Sequence, residues 1–233
     1  MTTIAVIGAA GDVGRGIVAA AVEKGWRVAA AGRRVDALAE VAREFSGGVV
    51  PVTGDLGDEA AAARLRDDIK AAMGELDAVV VSVNAPTTLG PMMGWSAANI
   101  SQLVESNLVT HFAAARAFLP SLRAGAVYLG IGGGTADLLL PQMGHMSVVQ
   151  AGLRMMYRAL AKEAPADGPA IRELIVASMV NGLSKRDRAR PEWLTDVEIG
   201  RHVCAILEDA AAFPGPVLKL SAREQVGQPE PAR

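Results

Sequence analysis

The chain has 233 residues, 51% of them hydrophobic and 21% charged, with a formal net charge of -2. That is enough apolar material for one large core, and a near-balanced charge without a long Lys or Arg run argues against a nucleic-acid partner. The lone Cys204 allows no internal disulfide, and the apolar runs Val79 to Val83 and Leu138 to Leu140 fall far short of the ~20 residues a membrane helix needs. The expectation is a cytoplasmic protein with no export signal, no membrane span and no metal site.

Taken in chain order, short apolar runs alternate with helical periodicity. The segment Ile4 to Gly16 reads IAVIGAAGDVGRG, a strand beginning at Thr3 that ends in a glycine-rich turn and opens a helix. Glycines at 8, 11 and 14 let backbone N–H groups approach a pyrophosphate at a helix N-terminus, where a side chain would stand in the way. The alternative is a plain strand-to-helix turn, but the position inside a βαβ unit favours a dinucleotide. The candidate contacts of that turn are Gly8, Gly11, Asp12, Val13, Gly14 and Arg15. The second strand, Arg27 to Ala31, ends in Gly32-Arg33-Arg34. An NAD site places an acid there for the ribose hydroxyls; here two cations follow a glycine, which suits a 2′-phosphate and points to NADP(H). Arg33 is the better candidate, with Arg34 and Arg15 as further positive contacts; the competing reading makes Arg33 and Arg34 solvated residues at a helix start, where the dipole opposes them.

A helix over Val35 to Phe45, a strand over Val49 to Thr53, a helix over Glu59 to Met73 and a strand over Ala78 to Val83 come next. Beyond them are a long helix over Ile100 to Leu122, a strand over Ala126 to Ile131, a helix over Met146 to Glu163, a strand over Ile171 to Ser178, a helix over Asp196 to Asp209 and a last strand over Val217 to Leu220. The pattern predicts an α/β fold: a single Rossmann-type, doubly wound parallel sheet of about seven strands with helices on both faces, spanning residues 1–224. Residues 225–233, with Pro229 and Pro231, read as a tail that is frayed or reaches a neighbouring subunit.

These motifs resemble the short-chain dehydrogenase/reductase family over nearly the whole chain, through Gly8 to Gly14, Gly32-Arg33-Arg34, Gly54-Asp55-Leu56, Ser82 to Ala85, Asn107 and Gly215 to Leu220. The resemblance implies that Asp55 and Leu56 hold the adenine, that Asn84-Ala85 is the turn after the fourth strand, and that Asn107 supports a proton-relay water. It implies contacts from Gln150 and Val180 to the nicotinamide half, a small-molecule substrate, and a homodimer or homotetramer paired through the long helices. It also exposes a departure. Gly133, Met146 and Gln150 stand where the family has its Ser, Tyr and Lys.

A thioether cannot donate a proton, an amide cannot carry the lysine's charge, and glycine has no hydroxyl, so the usual acid–base machinery is missing. His145, beside the tyrosine position, is the candidate substitute, with His111 one helical turn after Asn107 as another. Met92, Met93, Trp95, Leu138 to Leu140 and Met143 line either an apolar substrate cleft or the core. Three functions remain open: an NADP(H)-dependent oxidoreductase on a small, fairly apolar carbonyl or alcohol with a non-standard proton donor; a non-redox enzyme of isomerase or cyclase type that uses the Gly132 to Gly134 amides; and a catalytically silent NADP(H)-binding sensor or partner subunit.

Overall fold

A computed structural model describes residues 1–85 and 87–229. Seven strands lie in one sheet: β1 (Thr3–Ile7), β2 (Arg27–Gly32), β3 (Val49–Thr53), β4 (Ala78–Val81), β5 (Val127–Gly133), β6 (Ala170–Val176) and β9 (Val217–Leu220). Their order is β3-β2-β1-β4-β5-β6-β9 and every pairing is parallel. The doubly wound sheet expected from the alternation is therefore present. Strand order reverses between β1 and β4, and the crevice outside their carboxyl ends is where such sheets take ligands.

The central strands are apolar on both faces because helices cover both faces. Ile4, Val6, Val28 and Val80 join a core layer with Ile17 and Val18 of α1 (Asp12–Glu23) and Ile199 and Val203 of α7 (Asp196–Glu208). On the other side Ala5, Ile7 and Val79 pack with Leu65 and Ile69 of α3 (Glu59–Met73), Phe118 of α5 (Thr110–Phe118) and Leu153 and Tyr157 of α6 (Gly144–Glu163). Edge strand β3 carries Pro51, whose missing N–H is tolerated only at such a margin. α2 (Val35–Glu44) closes the β2–β3 crossover.

Helices α1 and α7 meet through glycine. A Cβ on Gly16 would collide with the Asp196 carbonyl and one on Gly200 with the Gly16 carbonyl oxygen, so the two backbones touch at a point no side chain could share.

Three expectations need correction. The fourth strand stops at Val81 rather than Val83, and the sixth at Val176 rather than Ser178, because the chain leaves the sheet there to form the crevice walls. The single helix expected over Ile100 to Leu122 is instead α4 (Ala97–Val104), a π turn (Glu105–Val109), α5 and a 3-10 turn (Leu119–Ser121). Side chains supply the reason. Asn107 Nδ2 donates to Leu103 O at 2.9 Å, Ser106 Oγ to Gln102 O at 2.8 Å and Thr110 Oγ1 to Glu105 O at 2.9 Å, satisfying carbonyls that a widened turn releases. Thirdly, β7 (Val180–Asn181) and β8 (Leu194–Thr195) form a small separate sheet whose strands are too short to show periodicity.

Candidate functional site

The glycine turn folds around backbone. Gly8 has φ +89°, a left-handed conformation open to glycine, and a Cβ there would collide with the Ser82 carbonyl oxygen of the neighbouring strand end. A Cβ on Gly14 would collide with the Gly8 carbonyl oxygen. Gly11 N donates to Gly8 O at 3.0 Å and Arg15 N to Gly11 O at 2.8 Å, closing the turn onto α1. Gly11 caps α1 with no side-chain hydrogen bond, so no side chain there competes with an anion for the first-turn N–H groups. Val13 is half-buried against the core. The cradle fits a dinucleotide pyrophosphate.

Cations around it are held differently. Arg15 is paired with Glu44 and lies 5.8 Å from the Phe45 ring centroid, which draws it toward the end of α2. Arg34 reaches back over the turn, Nη2 donating to Ala10 O at 3.3 Å. Arg33 is exposed at the end of β2 with no partner among the described residues. Gly54 N donates to Gly32 O at 3.0 Å, bringing Asp55 and Leu56 beside that strand end; Asp55 is exposed, its Oδ1 accepting from Leu56 N at 2.7 Å, and Leu56 is buried.

On the far side of the crevice Asn84 is exposed and Ala85 N donates to Asn107 Oδ1 at 3.0 Å. Pro86 lies outside the described residues. Asn107 is buried and ties the loop after β4 to the π turn, with both ends of its amide engaged. His111 is also buried and engaged: Tyr157 donates its hydroxyl proton to Nδ1 at 3.0 Å, and Nε2–H donates to Val83 O at 2.9 Å. Burial pushes its pKa down to about 4, which fits this neutral tautomer. His111 is thereby a structural brace.

The remaining floor holds Gly133, Met146 and Gln150. Gln150 Oε1 accepts from Gly133 N at 2.7 Å, so the amide on α6 is strapped to the backbone at the end of β5. Met146 is buried with Leu103 and Val149. Beside it His145 is fully buried, stacked on Trp95 at 4.0 Å between centroids, with Nε2 3.1 Å from Thr87 Oγ1 and Nδ1 lacking a partner among the described residues.

Three loops border this floor. Gly90 N donates to Gln142 O at 3.0 Å, joining the loops after β4 and β5, and Gln142 takes the uncommon φ of +63° to do so. Met93, Leu138 and Leu139 stand exposed on their rim, Met93 at 95%, so they form a mouth rather than a sealed apolar cleft. The third loop follows Val180, which is half-buried in β7. Its 3-10 turn (Leu183–Arg188) is clipped to α1: Ser184 N and Oγ donate to the Asp12 carboxylate at 2.9 and 2.5 Å, and Lys185 Nζ approaches to 3.4 Å. Burial alone would raise the Asp12 pKa, yet the Ser184 hydrogen bonds and the Lys185 charge prevail and hold it below the usual carboxylate value.

Sheet, crevice and glycine turn together define a Rossmann-like α/β fold, and residues 8–212 match the family model described as enoyl-(acyl carrier protein) reductase. The chain belongs to the short-chain dehydrogenase/reductase family. No curated protein matches it. Among solved structures it is similar to a short-chain dehydrogenase/reductase variant from Serratia marcescens, with TM-score 0.85, 17% identity and coverage of 95% of this chain and 97% of that one. An alcohol dehydrogenase from Thermococcus sibiricus complexed with 5-hydroxy-NADP gives 0.80 and 21%, covering 99% and 100%. A 3-ketoacyl-(acyl-carrier-protein) reductase from Brucella melitensis complexed with NADH gives 0.81 and 17%, covering 94% and 96%. At these identities the likeness is one of fold.

Among the described residues no group of three or more His, Cys, Asp or Glu is placed to hold a metal, and no helix is long and apolar enough to cross a membrane. Sequence reasoning missed the Thr87–His145 pair, the Asp12–Ser184 clip and the buried Glu173. The last left a signal, an acid in the apolar run Ala170 to Val176.

Proposed function

We propose that this protein is an NADP(H)-dependent oxidoreductase acting on a small, fairly apolar carbonyl or alcohol, with a proton donor other than the family's tyrosine. The observation that carries the reading is the exposed Arg33 at the end of β2, above a glycine cradle that has room for backbone alone. In this reading Gly8, Gly11, Asp12, Val13 and Gly14 shape the pyrophosphate cradle, Arg33 and Arg34 face the 2′-phosphate, and Asp55 and Leu56 flank the adenine. Arg15 adds positive potential while paired with Glu44. Asn84, Ala85 and Val180 border the nicotinamide half, and Gln150, its carbonyl spent on Gly133, has its NH₂ group left for the ribose. When bound, the dinucleotide exchanges a hydride with the substrate carbon.

The oxygen of that substrate still needs a proton. Met146 cannot give one, and His111 and Asn107 are fully engaged. His145 directly precedes the tyrosine position in the chain, and its contact with the Thr87 hydroxyl offers a route outward from a ring that is itself buried. Exposed Val109, Phe112, Val148 and Met155 on the α5 and α6 region suit helix pairing in a homodimer or homotetramer.

The test is NADPH consumption with a panel of aldehydes, ketones and quinones. Turnover that His145→Ala abolishes, with NADPH affinity kept, supports the reading. Tight NADPH binding without turnover on any of them overturns it in favour of a silent or non-redox dinucleotide-binding protein.

A further inference from the structure

Strand β6 lies in the sheet interior between β5 and β9, and Glu173 at its middle is wholly buried. Residues in register on parallel strands share a face, and Glu173 is in register with Gly130 of β5 and Val217 of β9. Its side chain therefore stands on the α6 side of the sheet. Glycines make the space. A Cβ on Gly130 would collide with the Tyr157 ring and hydroxyl, and one on Gly132 would collide with Glu173 Oε1 while standing 3.4 Å from Gln150 Oε1. Glu173 and Gln150 thus share one notch under Gly132.

Neither carboxyl oxygen has a hydrogen-bond partner among the described residues. An ionised carboxylate in that condition is costly enough that the group stays protonated instead. Burial accordingly pushes its pKa up to about 8, opposed by the charge of Arg154, which is itself paired with Asp137. The other groups facing the notch are accounted for. From α6 come Tyr157 and Arg154, and from β5 Tyr128, both phenols held above their usual pKa by burial. From α5 comes the neutral His111 behind Tyr157, and from β9 Lys219, two positions beyond Val217 and within 3.8 Å of Asp137. Of the buried groups whose titration is displaced here, His111 is moved down to about 4 and the two phenols upward, which leaves Glu173 to change charge near neutral to mildly alkaline pH.

We propose that Glu173 is a positioning residue for Gln150: as a neutral acid it backs the amide against the Gly133 N–H, and on losing its proton it displaces the amide and loosens the dinucleotide. An ionised carboxylate faces the carbonyl end of Gln150, a repulsive arrangement relieved by turning the amide round, which abandons Gly133 N–H. The inference rests on the proposed dinucleotide site.

Its test has two arms, run on the full chain and on Glu173→Gln, a neutral isostere of the protonated acid. In the first, thermal unfolding without cofactor is followed from pH 6 to 9. The wild-type midpoint falls by several degrees relative to that of Glu173→Gln as pH rises; parallel profiles overturn the assignment of the titrating group. In the second, NADPH is titrated over the same range. The wild-type dissociation constant rises about tenfold or more and that of Glu173→Gln changes less than about twofold, a one-unit linkage. Equal pH dependence in the two proteins overturns the proposal alone. Failure of the wild-type protein to bind NADPH at any pH overturns the dinucleotide reading and the proposal with it, while the first arm still reports on Glu173. Should Glu173→Gln fail to fold, Gln150→Ala replaces it in the second arm, where a surviving tenfold pH effect overturns the role of Gln150.

Discussion

Arg33 and Tyr157 show how differently one residue acts on binding and on stability. Arg33 is solvated and unpaired among the described residues, so removing it costs the fold little. Its guanidinium matches a phosphate, and Arg33→Ala is expected to weaken NADPH by about 10–100-fold while NADH changes about twofold or less, read by isothermal titration. Equal losses for the two would exclude a contact between Arg33 and the 2′-phosphate. Tyr157 is the reverse case. Tyr157→Phe strands the buried Nδ1 of His111 without its donor, at a cost of about 1–3 kcal/mol measurable by urea unfolding, with NADPH affinity little changed. Residues whose role is local are legible in the amino-acid sequence: Gly8 and Gly14 because a cradle needs their missing side chains, Met146 because a thioether is inert wherever it points. The partners of His111 and Glu173 are opaque there for a shared reason, although the acid of Glu173 stands out in its apolar strand. Those partners are Tyr157 and Gly132, far off along the chain, and no periodicity encodes a partner across a sheet.

Strands and long helices follow from apolar pattern, since each buries a face against its neighbours. The interrupted helix between α4 and α5 does not, because its π turn depends on side-chain bonds made by Asn107, Ser106 and Thr110 rather than on which face is apolar. Nor does the loop after β7, whose place is set by Asp12. That clip predicts a proteolytic outcome. Asp12→Ala releases the turn bearing Lys185, Arg186 and Arg188, and limited trypsin digestion should cut there several-fold faster than in the wild type. Since Asp12 titrates below the usual carboxylate range, the clip is fully present above the ordinary value and is lost only as pH falls through the depressed one.

At the scale of the molecule, two buried groups with opposite shifts shape stability against pH. His111, neutral in the fold at a pKa of about 4 against 6.5 unfolded, takes stability away as pH falls through that window. Glu173, protonated in the fold to about 8 against 4.5 unfolded, takes it away as pH rises, on the order of a few kcal/mol once complete. Above about pH 6.5 the Glu173 slope stands without opposition from His111, and denaturant midpoints are expected to drop from there to about pH 8. A flat profile would mean that Glu173 is ionised throughout.

The contact of Gly16 with Gly200 bears on how the chain is made. Helix α1 is synthesised long before α7, yet Ile17, Ala20 and Ala21 lie in the core layer that α7 completes. A nascent chain carries that apolar stripe uncovered until α7 has left the ribosome, and one halted before Asp196 has no helix with which to cover it. Such truncated chains are expected to be insoluble or retained by chaperones, and the crevice outside β1 and β4 to form only after α7 has docked.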